Sequence, residues 1–262
     1  MKQQICALQA ELIKIKHSKI IWATFIAFAL APIMGAVCIF IIQGGEALGK
    51  TGALVAKAKA MNFEANWESY FDILTQAVSV GGILVFGFVA SWIFGREYSD
   101  GTAKDLLSLP TSRTQILNAK FSLFVLWCFL LVLSNLLLAF VFGALLQLPP
   151  PGSGWLLQSL GDYFFTTVLT IIIGFPIAFF ALWSKGYLAP LGFVALTLVF
   201  AQVIAATGYG SYFPWSVPAL YSGVGGEYKI LLDNYSYGIL VLTSIAGYIA
   251  TVMYWNYADQ TK

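Results

Sequence analysis

The sequence has little charge, little histidine and little cysteine for its length. Only 10% of its 262 residues are charged, whereas soluble domains have about a quarter, so polar side chains are too few to cover a soluble surface. The single histidine, His17, excludes by count a metal cluster built from several histidines. The three cysteines are widely separated, without the spacing of a metal or redox motif. A net charge of +2 gives no reason to expect nucleic acid as a partner.

Long apolar runs make up most of the chain instead, and the mean hydropathy is +0.81. A helix that spans a membrane needs roughly 20 mostly apolar residues. Six segments meet this requirement, which predicts an all-α integral membrane protein with one transmembrane domain over residues 1–262. The predicted spans are 20–42, 75–94, 118–146, 163–183, 187–207 and 236–254.

Lysine and arginine are unevenly distributed over the segments between these spans. If the amino terminus is inside, ten of them lie in inner segments and four in outer segments. The Pro-rich loop 147–161 contains none. Because cytoplasmic loops are enriched in these residues, the distribution predicts a multi-pass protein of the cell membrane with both termini in the cytoplasm.

The segment 1–19 is predicted to form an amphipathic helix at the inner membrane interface. Glu11 and the nearby lysines fall outside the apolar face of this helix. That face consists of Ile5, Leu8, Leu12 and Ile15. Two roles remain open, a basic anchor that sets the topology and a mechanical part of the protein.

The inner loop 95–117 carries many charges and several helix-terminating residues. Thr102 begins a capping box, Pro110 ends the short helix that follows, and a second box at 112–115 starts the helix of the third span. A short helix between two spans can transmit a push from a soluble partner, because moving it tilts both spans. The alternative is that these charges only solvate a cytoplasmic hairpin.

Three segments resemble the permeases of the ABC-2, or type 2 exporter, family: ELIKIKHSK at 11–19, FGREYSDGT at 94–102 and LLSLPTSR at 106–113. In that family the interfacial helix and the loop after span two resemble the connecting and coupling helices, which dock on the nucleotide-binding subunit. The resemblance implies that the matching residues contact this subunit: Glu97, Gly101, Thr102, Leu107, Pro110 and Arg113.

The same resemblance implies the partners and excludes a cofactor in this chain. Two copies of a cytoplasmic ABC ATPase would bind ATP and Mg, and a second permease subunit, identical or paralogous, would complete the pathway. The chain itself would then be no enzyme. As the family is mainly bacterial, a bacterial membrane is expected.

The segment GGEALGKT at 44–51 matches the P-loop pattern of nucleotide-binding proteins. A P-loop lies between a buried strand and a helix of a soluble α/β domain, where its backbone amides bind phosphate. Here the motif follows a membrane span and lies in a predicted outer loop. Gly44, Gly49, Lys50 and Thr51 are therefore predicted to be a chance match that binds no nucleotide.

Three later segments are similar to the bacitracin-resistance and lantibiotic-immunity branch of the family: 174–181, 186–193 and 212–219. This similarity implies an amphipathic cargo, either a peptide antibiotic or a lipid-like molecule. Polar residues within spans tend to face the bundle interior or a cavity. Asn135 and Gln202 are accordingly the candidates for contact with the cargo.

Proline marks two irregular regions near the carboxyl-terminal half. Pro176 is expected to kink or break the fourth span. The segment 208–235 contains Pro214, Trp215 and Pro218, and these residues interrupt it too often for a helix that spans the membrane. It is either a re-entrant segment or an interfacial cap.

Together these features predict the permease subunit of an ABC exporter. The alternative is a membrane scaffold or sensor that docks a cytoplasmic partner without transporting cargo.

Overall fold

The computed structural model describes residues 2–16, 18–47, 64–102, 112–149, 152, 154–224 and 232–257, and in these ranges the chain is helical without strands. The helices are α1 (Lys2–Lys16), α2 (Lys19–Ala47), α3 (Trp67–Ser99), α4 (Arg113–Leu145), α5 (Trp155–Ile172), α6 (Phe175–Trp183), α7 (Leu188–Ala206), α8 (Val217–Tyr221) and α9 (Asn234–Tyr257), with a 3₁₀ turn at Gly210–Tyr212.

Six helical segments are long and apolar enough to cross a membrane, so the all-α, six-span prediction is confirmed. They are Lys19–Gly44, Trp67–Ser99, Arg113–Leu145, Trp155–Trp183, Leu188–Ala206 and Asn234–Tyr257.

Several of these helices begin earlier than hydropathy alone predicts, because polar side chains cap them. The side chain of Asn66 accepts a hydrogen bond from Ser69 N at 2.9 Å, so α3 begins at Trp67 and not at the predicted Thr75. Ser112 caps α4 in the same way through Gln115 N at 3.3 Å, as the second capping box predicted.

The fourth span is broken at the position that Pro176 predicted. Helix α5 ends at Ile172, and α6 begins at Phe175, with the proline in its first turn. Gly247 of α9 packs directly on this break, since a Cβ at Gly247 would lie 2.5 Å from the Pro176 Cα. Small residues permit such close approaches between membrane helices.

Helix α3 lies at the centre of the bundle and contacts α2 and each helix from α4 to α8. The circumference carries exposed large apolar side chains such as Trp22, Leu137 and Leu242, a surface suited to lipid. Short α8 packs against α3 and α5, so the segment after α7 folds back onto the bundle.

Helix α1 packs against α4 with a face that keeps Leu8 and Ile15 of the predicted apolar face and adds Glu11. Ile15 is buried as expected, whereas Glu11 is also buried at 4% exposure and Leu12 is 39% exposed. Leu8, Glu11 and Ile15 therefore form the contact face. The prediction placed Glu11 outside this face. Its burial is tolerated because the charges of Lys14 and Lys120 compensate it.

Candidate functional site: a buried charge cluster at one end of the bundle

Four charged side chains from three helices meet at the end of the bundle where α3 ends and α4 begins. Lys120 Nζ lies 2.6 Å from Glu97 Oε2 and 3.6 Å from Glu11 Oε2. Lys14 Nζ lies 2.6 Å from Glu11 Oε1 and 3.5 Å from Glu97 Oε1. Each lysine thus contacts both carboxylates. We call these residues the four-charge cluster and this end of the bundle the basic end.

Three members of the four-charge cluster are almost inaccessible to solvent, while the Lys14 side chain is 34% exposed. Lys120 is 1% exposed, and Glu11 and Glu97 are 4% exposed each. The Lys120 ammonium also donates to the Ile93 carbonyl at 3.0 Å. Buried charges are tolerated when they are paired and hydrogen-bonded, and two lysines against two glutamates leave no net charge. The cluster therefore joins α1, α3 and α4 into one unit.

Local structure explains how each charge reaches the cluster. Lys120 lies on the buried face of α4, one turn after Ile116 and Leu117. Glu97 lies in the last turn of α3, where the helix dipole disfavours a carboxylate. Its pairing with Lys120 offsets this disadvantage.

The pKa of Glu11 reflects two opposing effects. Burial raises this pKa, while the positive charges of Lys120 and Lys14 lower it, and the net result lies below the ordinary value of 4.5. Glu11 therefore remains ionised at neutral pH, as its ion pairs require.

The residues predicted to contact an ATPase are placed in different ways. Gly101 and Thr102 terminate α3: Gly101 has φ +73°, its N–H donates to Tyr98 O, and Thr102 N–H donates to Glu97 O at 2.9 Å. Both are exposed at the basic end. Leu107 and Pro110, with the predicted short helix, lie outside the described residues.

Arg113 and Glu97 also lie at the basic end, in contrasting environments. Arg113 starts α4, and its guanidinium donates to Asn256 O at 3.3 Å in an exposed position. Glu97 is buried in the four-charge cluster, so it acts on a partner only through its neighbours while the cluster is closed. Their role in ATPase coupling stays a prediction.

The two residues predicted to contact cargo differ in their exposure to solvent. Asn135 is fully buried, donates to Phe28 O at 3.0 Å and accepts from the Tyr163 hydroxyl at 3.1 Å, which ties α2, α4 and α5 together. Gln202 is exposed on the surface of α7. Contact of either residue with cargo stays a prediction.

The start of the P-loop match is part of a membrane helix. Gly44 lies within α2 and not in a loop after a strand. Gly49, Lys50 and Thr51 lie outside the described residues.

A polar cavity of about 290 Å³ lies at the end opposite the basic end, between α3, α5 and α8. The Tyr221 hydroxyl donates to Asp162 Oδ1 at 2.7 Å, and the Ser79 and Ser222 hydroxyls are 2.7 Å apart. Side chains that line it include Asp72, Thr75, Gln76, Ser159, Asp162 and Ser222.

Sequence reasoning missed both the four-charge cluster and this cavity. The sequence does show that Glu97 and Lys120 each lie on an otherwise apolar helical face, which is a sign of a buried charge. It does not show that the two residues pair with each other. The cavity has residues from three separate segments, and no spacing links them.

Comparison with known proteins shows the family to which the chain belongs. Residues 7–203 match the model of the family described as "ABC-2 family transporter protein". The chain is also 27% identical to the bacitracin transport permease protein BCRB of Bacillus licheniformis over 192 residues, which are 73% of this chain and 92% of that relative.

The six apolar helices, together with these matches, define a multi-pass membrane protein of the transporter permease class. The chain belongs to the ABC-2 transporter family. The resemblance seen in the sequence is thus confirmed, and membership implies a transporter complex in which an ATPase is the partner.

Proposed function

We propose that this chain is the permease subunit of an ABC exporter that moves an amphipathic substrate, a peptide antibiotic or a lipid-like molecule, across or out of the membrane. Two copies of a separate cytoplasmic ATPase bind ATP and Mg and drive the cycle. A second permease subunit, identical or paralogous, completes the pathway. The substrate class is supported by the relative, whose name describes a bacitracin transport permease.

The proposed topology has the basic end and both termini in the cytoplasm of a bacterial cell. Lys14, Lys16, Arg96, Arg113 and Lys120 lie at or near this end. Enrichment of positive residues supports the cytoplasmic side for it. The ATPase then meets the same end that carries the four-charge cluster.

The observation that carries the proposal is the four-charge cluster beside the predicted coupling loop. Helix α3 ends at Ser99 and α4 begins at Arg113, so the two ends of the loop are anchored in helices that Glu97 and Lys120 join at 2.6 Å. A push on the loop therefore moves α3, α4 and α1 together and does not bend one helix alone. Such a rigid unit suits the transmission of movement from an ATPase.

The experiment is co-purification of the permease with candidate ABC ATPases of the same organism, followed by transport in proteoliposomes. Leu107→Ala and Arg113→Ala are expected to weaken assembly and to lower substrate-stimulated ATP hydrolysis. Leu157→Ala is the matched control, because Leu157 is 82% exposed near the start of α5, at the opposite end.

The alternative, a scaffold or sensor that docks a partner without transport, has a distinct result. A stable complex that hydrolyses ATP but moves no bacitracin-like peptide or lipid would support the scaffold. If no ATPase assembles with the chain, or both loop variants behave as wild type, the proposal is wrong.

A further inference from the structure

An apolar groove of about 320 Å³ lies between α1, α2 and α4, close to the basic end. Helix α1 contributes Leu12 and Ile15, and α2 contributes Ile21 and Phe25. On the α4 side the lining residues are Leu123, Leu126, Trp127 and Leu130. The volume is at the lower end of the roughly 300–1,000 Å³ found for ligand pockets.

The floor of the groove is preformed. Leu123 is 2% and Trp127 4% exposed, and the Trp127 indole N–H donates to Thr24 Oγ1 at 3.3 Å, which fixes the ring. Leu126 and Leu130 are 41% and 48% exposed and form the open side. The groove therefore opens toward the surface that lipid surrounds, while its floor belongs to the packed core.

The mouth of the groove is positively charged. Lys16 lines it, and Lys19, the first residue of α2 and two residues before the lining residue Ile21, is exposed. Among the described residues that line the groove, none is acidic. The backbone N–H groups in the first turn of α2 add positive potential at the same place. An apolar groove with Lys16 in its lining, and with Lys19 at the start of the helix that forms one wall, is complementary to an amphiphile with an anionic head group.

We propose that this groove binds one acyl chain of an anionic phospholipid, whose phosphate lies at Lys16 and Lys19. The lipid is a bound part of the protein and not its cargo, so the inference goes beyond the proposed function. In the proposed topology it comes from the cytoplasmic leaflet.

Head-group charge, and not chain burial, gives the site its selectivity. An acyl chain is as well solvated in the bilayer as in an apolar groove, so burial alone gains little. A lysine near an anionic lipid surface strengthens binding about fivefold. A bound lipid holds α1 against α2 and α4 from one side while Glu11 holds it from the other.

The test is native mass spectrometry of the full-length protein, released from nanodiscs that contain equal amounts of phosphatidylglycerol and phosphatidylcholine with the same chains. Wild type is expected to retain phosphatidylglycerol preferentially. Lys16→Gln is expected to reduce this preference about fivefold, and Lys16→Arg to restore it. Leu126→Trp fills the groove, which keeps an acyl chain from placing its phosphate at the two lysines, and is expected to abolish the preference for phosphatidylglycerol.

Leu137→Trp is the matched control, because Leu137 is an exposed leucine of α4 that does not line the groove. It is expected to bind lipid as wild type does. Equal retention of the two lipids by wild type, or an unchanged preference in Leu126→Trp, overturns the proposal.

The alternative occupant of the groove is a second copy of the chain, and cross-linking would detect it. In a background with Cys6, Cys38 and Cys128 replaced by serine, Leu130→Cys would then cross-link between copies in the membrane. Such a cross-link overturns the lipid proposal. None of these measurements requires ATP, an ATPase or cargo, so their outcome is independent of the transport proposal.

Discussion

Removal of the Lys120 ammonium tests the four-charge cluster most directly. In Lys120→Met, Glu97 and Glu11 remain buried, and Lys14, whose side chain is 34% exposed, is the remaining cation of the cluster. Breaking a buried ion pair by removing one partner costs roughly 3–5 kcal/mol, because the other charge is left uncompensated. We expect a loss of this size in the free energy of unfolding.

The double variant Glu97→Leu with Lys120→Met separates pairing from burial. Replacing both members of a buried pair by apolar residues is often neutral or stabilising, so the double variant should recover most of the stability lost in Lys120→Met. Glu11 keeps its partner Lys14 at 2.6 Å in that variant. A recovery of about 2 kcal/mol or more would show direct coupling between Glu97 and Lys120.

The assay is reversible unfolding by SDS titration in mixed micelles, followed by near-UV circular dichroism. Lys19→Met, at an exposed lysine of the same end, is the control. In micelles that contain no anionic phospholipid it should change stability by less than about 0.5 kcal/mol. The single variant Glu97→Leu completes the cycle. If Lys120→Met is as stable as the control, or if the losses in Glu97→Leu and Lys120→Met simply add in the double variant, the cluster is not a buried, mutually compensating set of charges.

Three further outcomes follow from contacts elsewhere in the chain. Gly247→Val should destabilise the bundle by about 2 kcal/mol or more in the same SDS titration, because its side chain would collide with the α6 backbone; Gly238→Ala on the same helix, with nothing within 4 Å, should not destabilise it. The pKa of Glu11 is lower in the folded chain than its ordinary value of 4.5, so the ionised carboxylate stabilises the fold above pH 4.5. This stabilisation is lost as the pH falls below 4.5, and Glu11→Gln should flatten this part of a stability–pH curve. Tyr163→Phe should cost about 1–3 kcal/mol, because a buried amide oxygen loses its donor, while Tyr257→Phe at an 86% exposed position should be neutral; equal effects would contradict the buried hydrogen bond.

A rigid basic end has a consequence for how the proposed exporter moves. Since α1, α3 and α4 are joined by charges, relative movement within the bundle is expected elsewhere. The break between α5 and α6 at Pro176 is one such place: Gly247 packs closely on it, but the helix itself is interrupted there and can bend. Double-variant and transport measurements together would show whether the cluster must stay closed during the cycle.

The sequence by itself determined the class of fold and most helix positions. Each span is a local property, because about 20 apolar residues in a row suffice to cross a membrane whatever their neighbours are. The break at Pro176 and the cap at Ser112 are local for the same reason, as each depends on a few adjacent residues. The family resemblance followed from short segments that keep their order along the chain.

Only the tertiary structure decided which polar residues meet. Lys14 and Glu97 are 83 positions apart, and whether Glu11 is buried depends on Lys120, which lies on another helix. Contact of Asn135 with cargo stays a prediction, and its hydrogen bonds to Phe28 and Tyr163 also give it a packing role that no single segment encodes. The free energy of a buried polar group depends on its partners, and partners from distant segments are brought together only when the helices pack.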